Sequence, residues 1–78
     1  MTLEQRLKAV LSAVLSIPQD SVNISLNVDN TPGWDSLRHL NLILALEEEF
    51  KITIPDIDAM NLTSYELIRV VVQDLINA

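Results

Sequence analysis

The first apolar positions of the chain recur at the spacing of one helix face. They are Leu3, Leu7, Val10, Leu11, Val14 and Leu15. This spacing predicts an amphipathic helix over residues 3–15. Thr2 and Gln5 form a capping-box pair at its start. Pro18 disfavours a helical conformation at Ile17, so the helix is expected to end before it.

The same segment has a second interpretation as a targeting signal. Arg6 and Lys8, followed by "AVLSAVLSI", resemble the charged and apolar regions of a secretory signal. The helical spacing and the cap favour the folded helix, and the apolar run is too short to span a membrane. The chain is therefore expected to be cytoplasmic, without membrane insertion.

Residues 19–34 combine turn-forming residues with alternating apolar ones. The turn formers are Asn23, Asn27, Asp29, Asn30, Pro32 and Gly33. Such a composition is unsuited to a regular helix. Val22, Ile24, Leu26 and Val28 alternate as in a strand, and "KITI" at 51–54 is the other alternating stretch. Since a lone pair of short strands is marginal, the prediction favours an extended loop packed on the helices, with a strand pair as the alternative.

A second helix is predicted from Ser36 or Leu37 to about Phe50. Its apolar residues are Leu37, Leu40, Leu42, Ile43, Leu44, Leu46 and Phe50. They cover more than the narrow stripe of a surface helix, so we expect this helix to be contacted on more than one side.

Two further helices complete the pattern. Pro55 is suited to be the first residue of a short helix through Met60. Thr63 and Glu66 form a capping-box pair that opens a final helix through Ile76. The predicted fold is all-α: a small four-helix bundle of three longer helices and one short helix, with a long loop between helices 1 and 2.

Composition limits the domain organisation and the class of partner. With 78 residues and 49% hydrophobic content, the chain 1–78 is expected to form a single domain with one core. It contains no cysteine, so neither a disulfide nor a thiolate-ligated metal can brace the fold, and the chain has no thiol of its own. A net charge of -6 argues against binding of nucleic acid and makes a basic partner more plausible.

The stretch "PGWDSLRHL", residues 32–40, holds the only glycine, tryptophan and histidine of the chain. Ser36 and His39 could share a helix face beside Asp35, as in a hydrolase, but a first-turn serine on a small bundle has no water-excluding cleft or oxyanion hole. A calcium loop in "DNTPGWDS" lacks the glutamate at its twelfth position and has its glycine at the wrong offset. Two interpretations of the helix start remain. Asp35 or Ser36 caps the helix, or the Ser36 hydroxyl carries a phosphate diester, which suits the positive end of a helix.

An ordered set of motifs resembles the acyl carrier protein family. These motifs are "DSL" at 35–37, "ALEEEF" at 45–50, "IPD" at 54–56 and "LTS" at 62–64. The resemblance implies that Ser36 carries a covalent 4'-phosphopantetheine arm, with Asp35 and Leu37 helping a phosphopantetheinyl transferase to recognise the site. It implies a monomeric carrier, not an enzyme, that holds acyl or aminoacyl groups as thioesters. Enzymes of lipid or specialised-metabolite biosynthesis would activate and transfer these groups. The alternative is an unmodified helical interaction module with the same fold.

The chain departs from this family where acidic residues usually follow the motif. Arg38, His39 and Asn41 stand there, whereas Glu47, Glu48 and Asp56 remain acidic. These six residues are the candidates for partner binding. The acidic end of the second helix is equally open to a second interpretation, as a solvated helix end. Since charge complementarity governs partner choice, the departures indicate a discrete carrier of a specialised pathway, and Trp34 is expected to pack the loop against the bundle.

Overall fold

The computed structural model describes residues 2–78, and the predicted all-α architecture is confirmed. The described residues form four α-helices: α1 (Leu3–Leu15), α2 (Ser36–Phe50), α3 (Asp56–Met60) and α4 (Tyr65–Ile76). Two 3-10 turns, Gln19–Ser21 and Val28–Asn30, lie in the long connection between α1 and α2. None of the helices within residues 2–78 has both the length and the apolar character needed to cross a bilayer.

Helix α1 has the start that its sequence predicts. The Thr2 hydroxyl accepts a hydrogen bond from the Gln5 N–H at 3.1 Å, and the Gln5 side chain accepts one from the Thr2 N–H at 2.9 Å. The helix ends at Leu15 because Ser16 adopts a left-handed conformation, with φ 57°. The capping box is confirmed.

The connection between α1 and α2 is an extended loop, as the favoured prediction states, and the alternative of a strand pair is wrong. Val22 and Leu26 turn inward and are 1% and 7% exposed, whereas Ile24 is 72% exposed. The alternating apolar residues therefore attach the loop to the helices without pairing with "KITI". Backbone hydrogen bonds of 3.0 Å from Val28 to Thr63 and from Tyr65 to Leu26 also tie the loop to the start of α4.

The core lies between α1, α2 and α4. Its fully buried side chains are Leu7, Leu11, Val22, Leu42, Leu46, Leu62, Ile68 and Val72. Helix α3, by contrast, contributes no buried residue.

Two predicted helix starts need correction. The N-cap of α4 is Ser64, whose hydroxyl accepts from the Leu67 N–H at 3.1 Å, and not Thr63. Glu66 consequently does not close a capping box and forms an ion pair with Arg69 instead. The cause is the contact between the loop and α4, which holds Ser64 in an extended conformation. Pro55 precedes α3 rather than forming its first residue.

Candidate functional site

The start of α2 answers whether Asp35 or Ser36 caps the helix. Asp35 is the N-cap, and its carboxylate accepts a hydrogen bond from the Arg38 N–H at 2.8 Å. Ser36 is the first helical residue, and it is exposed. The serine hydroxyl is therefore not needed for the cap and stands at the solvent-facing end of the helix.

The electrostatics of this position suit an anion on Ser36. The first intrahelical donor of α2 is the His39 N–H, which bonds to the Asp35 carbonyl at 2.8 Å. The N–H groups of Ser36 and Leu37 therefore lack intrahelical acceptors, while that of Arg38 is taken by the cap. Two such donors and the positive end of the helix dipole favour a phosphodiester on the serine oxygen.

Ser36 lies on the rim of two open recesses. One, of about 520 Å³, is lined by Trp34, Asp35, Met60 and neighbouring loop residues. The other, of about 300 Å³, runs between α2 and α3 past Leu40, Leu44 and Ala59. Ser36 and His39 line both recesses, so any group attached to Ser36 has apolar walls on either side.

His39 links the elements on the two sides of Ser36. The Trp34 indole N–H donates to His39 Nδ1 at 3.0 Å, and His39 Nε2 lies 2.7 Å from the Ala59 carbonyl oxygen. Trp34 is only 7% exposed, which confirms that it packs the loop against the bundle. Because both ring nitrogens are occupied in this way, His39 is not arranged as the base of a Ser36 nucleophile.

The six predicted partner-binding residues divide into two groups. Arg38, His39 and Glu47 make internal hydrogen bonds: the Arg38 guanidinium donates to the Val14 carbonyl at 3.2 Å, and the Glu47 carboxylate accepts from the Ile54 N–H at 2.8 Å. Asn41, Glu48 and Asp56 are exposed.

An apolar surface beside Ser36 is the feature that sequence analysis missed. It consists of Leu37, Leu40 and Leu44 on α2, exposed by 67%, 56% and 55%, with Ile57 and Met60 on α3. Helix α2 is contacted on more than one side, by α1 through Arg38 and by α3 through His39, as expected, but this face remains exposed. The signal was present in the sequence, because residues 37, 40 and 44 share one helical face and residues 42, 46 and 50 another.

Comparison with protein-family models identifies the family of the chain. The model described as "phosphopantetheine attachment site" matches residues 5–69, which include all of α2 and α3. Domains of this family are sites of covalent 4'-phosphopantetheine attachment and act in general as carriers without catalysis of their own. The chain therefore belongs to the phosphopantetheine attachment-site family, as expected of a member of the acyl carrier proteins.

Proposed function

We propose that this chain is a non-catalytic carrier whose Ser36 hydroxyl receives the 4'-phosphopantetheine arm. Its cargo is an acyl or aminoacyl group that moves between enzymes of lipid or specialised-metabolite biosynthesis. One observation carries the proposal: the exposed Ser36 begins α2, while the adjacent Asp35 performs the capping.

The attachment step follows from the chemistry of a serine and coenzyme A. The Ser36 oxygen forms a bond to the phosphorus that carries pantetheine, and the bond from that phosphorus to the bridging pyrophosphate oxygen breaks. Adenosine 3',5'-bisphosphate leaves, and the serine proton passes to a base of the transferase. The attached arm supplies the thiol that this cysteine-free chain lacks, and thereby the means to hold a thioester.

The partners in this proposal are a phosphopantetheinyl transferase and the enzymes that load and unload the arm. The transferase must approach Ser36, so it meets Asp35 and the exposed Leu37. The loading enzymes would meet Leu40 and Leu44 on the same face of α2. Asn41, Glu48 and Asp56 are exposed and free to select among these enzymes. Arg38, His39 and Glu47 would influence docking mainly by fixing the shape of the surface, since their polar atoms are bonded internally.

The experiment is incubation with coenzyme A and a broad-specificity phosphopantetheinyl transferase, followed by intact-mass measurement. We expect wild type to gain the mass of one phosphopantetheine and Ser36→Ala to gain none. Ser21→Ala is the matched control, because Ser21 is also an exposed serine in a turn of the helical type. Since Ser36 is not the cap, its substitution should leave the fold intact, as checked by circular dichroism.

A failure to modify wild type, or equal modification of Ser36→Ala, would contradict the proposal. The first result favours the alternative of an unmodified helical interaction module, and the second places the arm on another residue.

A further inference from the structure

The imidazole of His39 makes two hydrogen bonds, and together they determine which ring nitrogen carries the hydrogen. We call this arrangement the His39 bridge. An indole N–H can only donate, so Nδ1, which receives the Trp34 bond at 3.0 Å, carries no hydrogen. A carbonyl oxygen can only accept, so Nε2, at 2.7 Å from the Ala59 oxygen, carries the hydrogen. The bridge therefore requires the neutral imidazole with its hydrogen on Nε2.

The bridge holds an element that has little other anchorage. Helix α3 spans five residues and buries none of them, and Ile57 and Met60 are 75% and 77% exposed. Ala59 is half-buried and is the α3 residue whose carbonyl meets His39. The segment before α3 is tied to α2 by the bond from the Ile54 N–H to Glu47. His39 therefore makes the polar contact by which α2 holds the body of α3.

The other end of the bridge lies in the loop that leads into Ser36. Trp34 stands two positions before the serine, and its ring lies nearly parallel to the imidazole, at an interplanar angle of 25°. Its bond to His39, one turn into α2, fixes the path of the chain into the Asp35 cap. Both recesses that flank Ser36 therefore have a wall set by His39.

We propose that His39 is a positioning residue for arm attachment, whose two hydrogen bonds hold Trp34 and α3 on the two sides of Ser36. This inference rests on the proposed role of Ser36. A side chain at position 39 that cannot accept from the Trp34 N–H and donate to the Ala59 carbonyl would release both of these elements.

The charged groups around His39 come from each neighbouring element. Asp35 lines the recess on the loop side, and Glu47 and Asp56 line the recess on the α3 side. Arg38 is adjacent in sequence, but its guanidinium extends to the end of α1. The bridge itself joins neutral groups, an indole N–H and a backbone carbonyl.

Two substitutions at His39 separate its hydrogen bonds from its bulk. His39→Gln supplies an amide oxygen for the Trp34 N–H and an amide N–H for the Ala59 carbonyl. His39→Leu supplies neither. Val72→Ala serves as a stability control, because it loses packing at a fully buried site in α4.

The first measurement is kcat/KM for arm attachment with coenzyme A and transferase. At about pH 8 we expect His39→Gln and Val72→Ala to match wild type within about twofold, and His39→Leu to be roughly tenfold slower, since two bonds that hold the reactive arrangement are lost.

The second measurement is the fluorescence of Trp34, the only tryptophan of the chain. It needs no transferase, so it tests the bridge itself. We expect the emission of His39→Gln to match that of wild type and the emission of His39→Leu to differ, because only the leucine variant leaves the Trp34 N–H without this acceptor.

The outcomes distinguish the two proposals. If wild type gains no arm, the proposed function fails, and with it the positioning role. If wild type is modified but His39→Leu reacts equally fast, or if the Trp34 emission of His39→Leu matches that of wild type, only the inference about His39 is overturned.

Discussion

The Asp35 carboxylate has two roles that substitution can separate. Its cap bond to the Arg38 N–H is a structural contact of 2.8 Å, whereas its contact with the transferase is proposed. Asp35→Ala removes the cap acceptor, which costs about 1 kcal/mol of unfolding free energy. It also removes a negative charge at the positive end of α2, a term of about 0.3–1 kcal/mol that solvent reduces at this exposed site.

Asp35→Asn keeps the acceptor and removes only the charge. The expected losses of unfolding free energy are therefore about 1.5 kcal/mol for the alanine variant and about 0.5 kcal/mol or less for the asparagine variant. For a domain of this size, about 1 kcal/mol corresponds to a Tm shift of roughly 4–8 °C, so the two variants are distinguishable by thermal denaturation.

The kinetic expectation differs from the thermodynamic one. If the transferase recognises the carboxylate, both variants should accept the arm more slowly than wild type, although only the alanine variant is clearly destabilised. Asp29→Asn is the control, because it removes one exposed carboxylate from the neighbouring loop. Equal stability of Asp35→Ala and Asp35→Asn would refute the capping argument. If Asp35→Asn accepted the arm as fast as wild type, capping would be the only role of Asp35.

Three further predictions concern packing, titration and charge. Leu46→Ala, at a site with 0% exposure, should cost about 2–5 kcal/mol of unfolding free energy, and a smaller loss in urea denaturation would show that the core collapses around the cavity. Burial first, and nearby carboxylates second, raise the pKa of Tyr65 above its ordinary value of 10.0, so stability should fall as pH rises beyond that value in wild type but not in Tyr65→Phe. A matching alkaline loss in the phenylalanine variant would assign the effect to other groups. Glu47→Ala, which loses the bond from the Ile54 N–H, should lower stability by about 1–2 kcal/mol, whereas Glu48→Ala should change it by less than about 0.5 kcal/mol, and equal effects in thermal denaturation would contradict this contrast.

The helices could be predicted because their signals are local. The period of the apolar residues and the Thr2 and Gln5 pair lie within one or two turns of the elements that they define. The start of α4 shows the limit of such signals. Thr63 and Ser64 are both good caps, and the choice between them depends on the loop that pairs with Ser64 from a distant part of the chain.

The candidate site was predictable at Ser36 and much less so around it. The motif "DSL" and its place before an apolar run are visible in the sequence. The roles of Arg38 and His39 depend on partners 24 and 20 positions away, namely Val14 and Ala59, which no local pattern relates to them. The sequence showed that these two residues depart from the expected acidic pattern, but it did not show the hydrogen bonds that they make.

A count of the acidic residues in α2 does not show which carboxylates a docking partner can reach. Glu47, a predicted partner-binding residue, is bonded to the Ile54 N–H, and the neighbouring Glu49 forms an ion pair with Arg6. The face beside Ser36 presents leucines, and an apolar surface on a small domain is typical of a site that a partner covers. Screening by salt weakens contacts between charges but not the burial of leucine side chains. If the loading enzymes dock here, their affinity for this carrier should therefore depend more on the shape of the leucine face than on ionic strength.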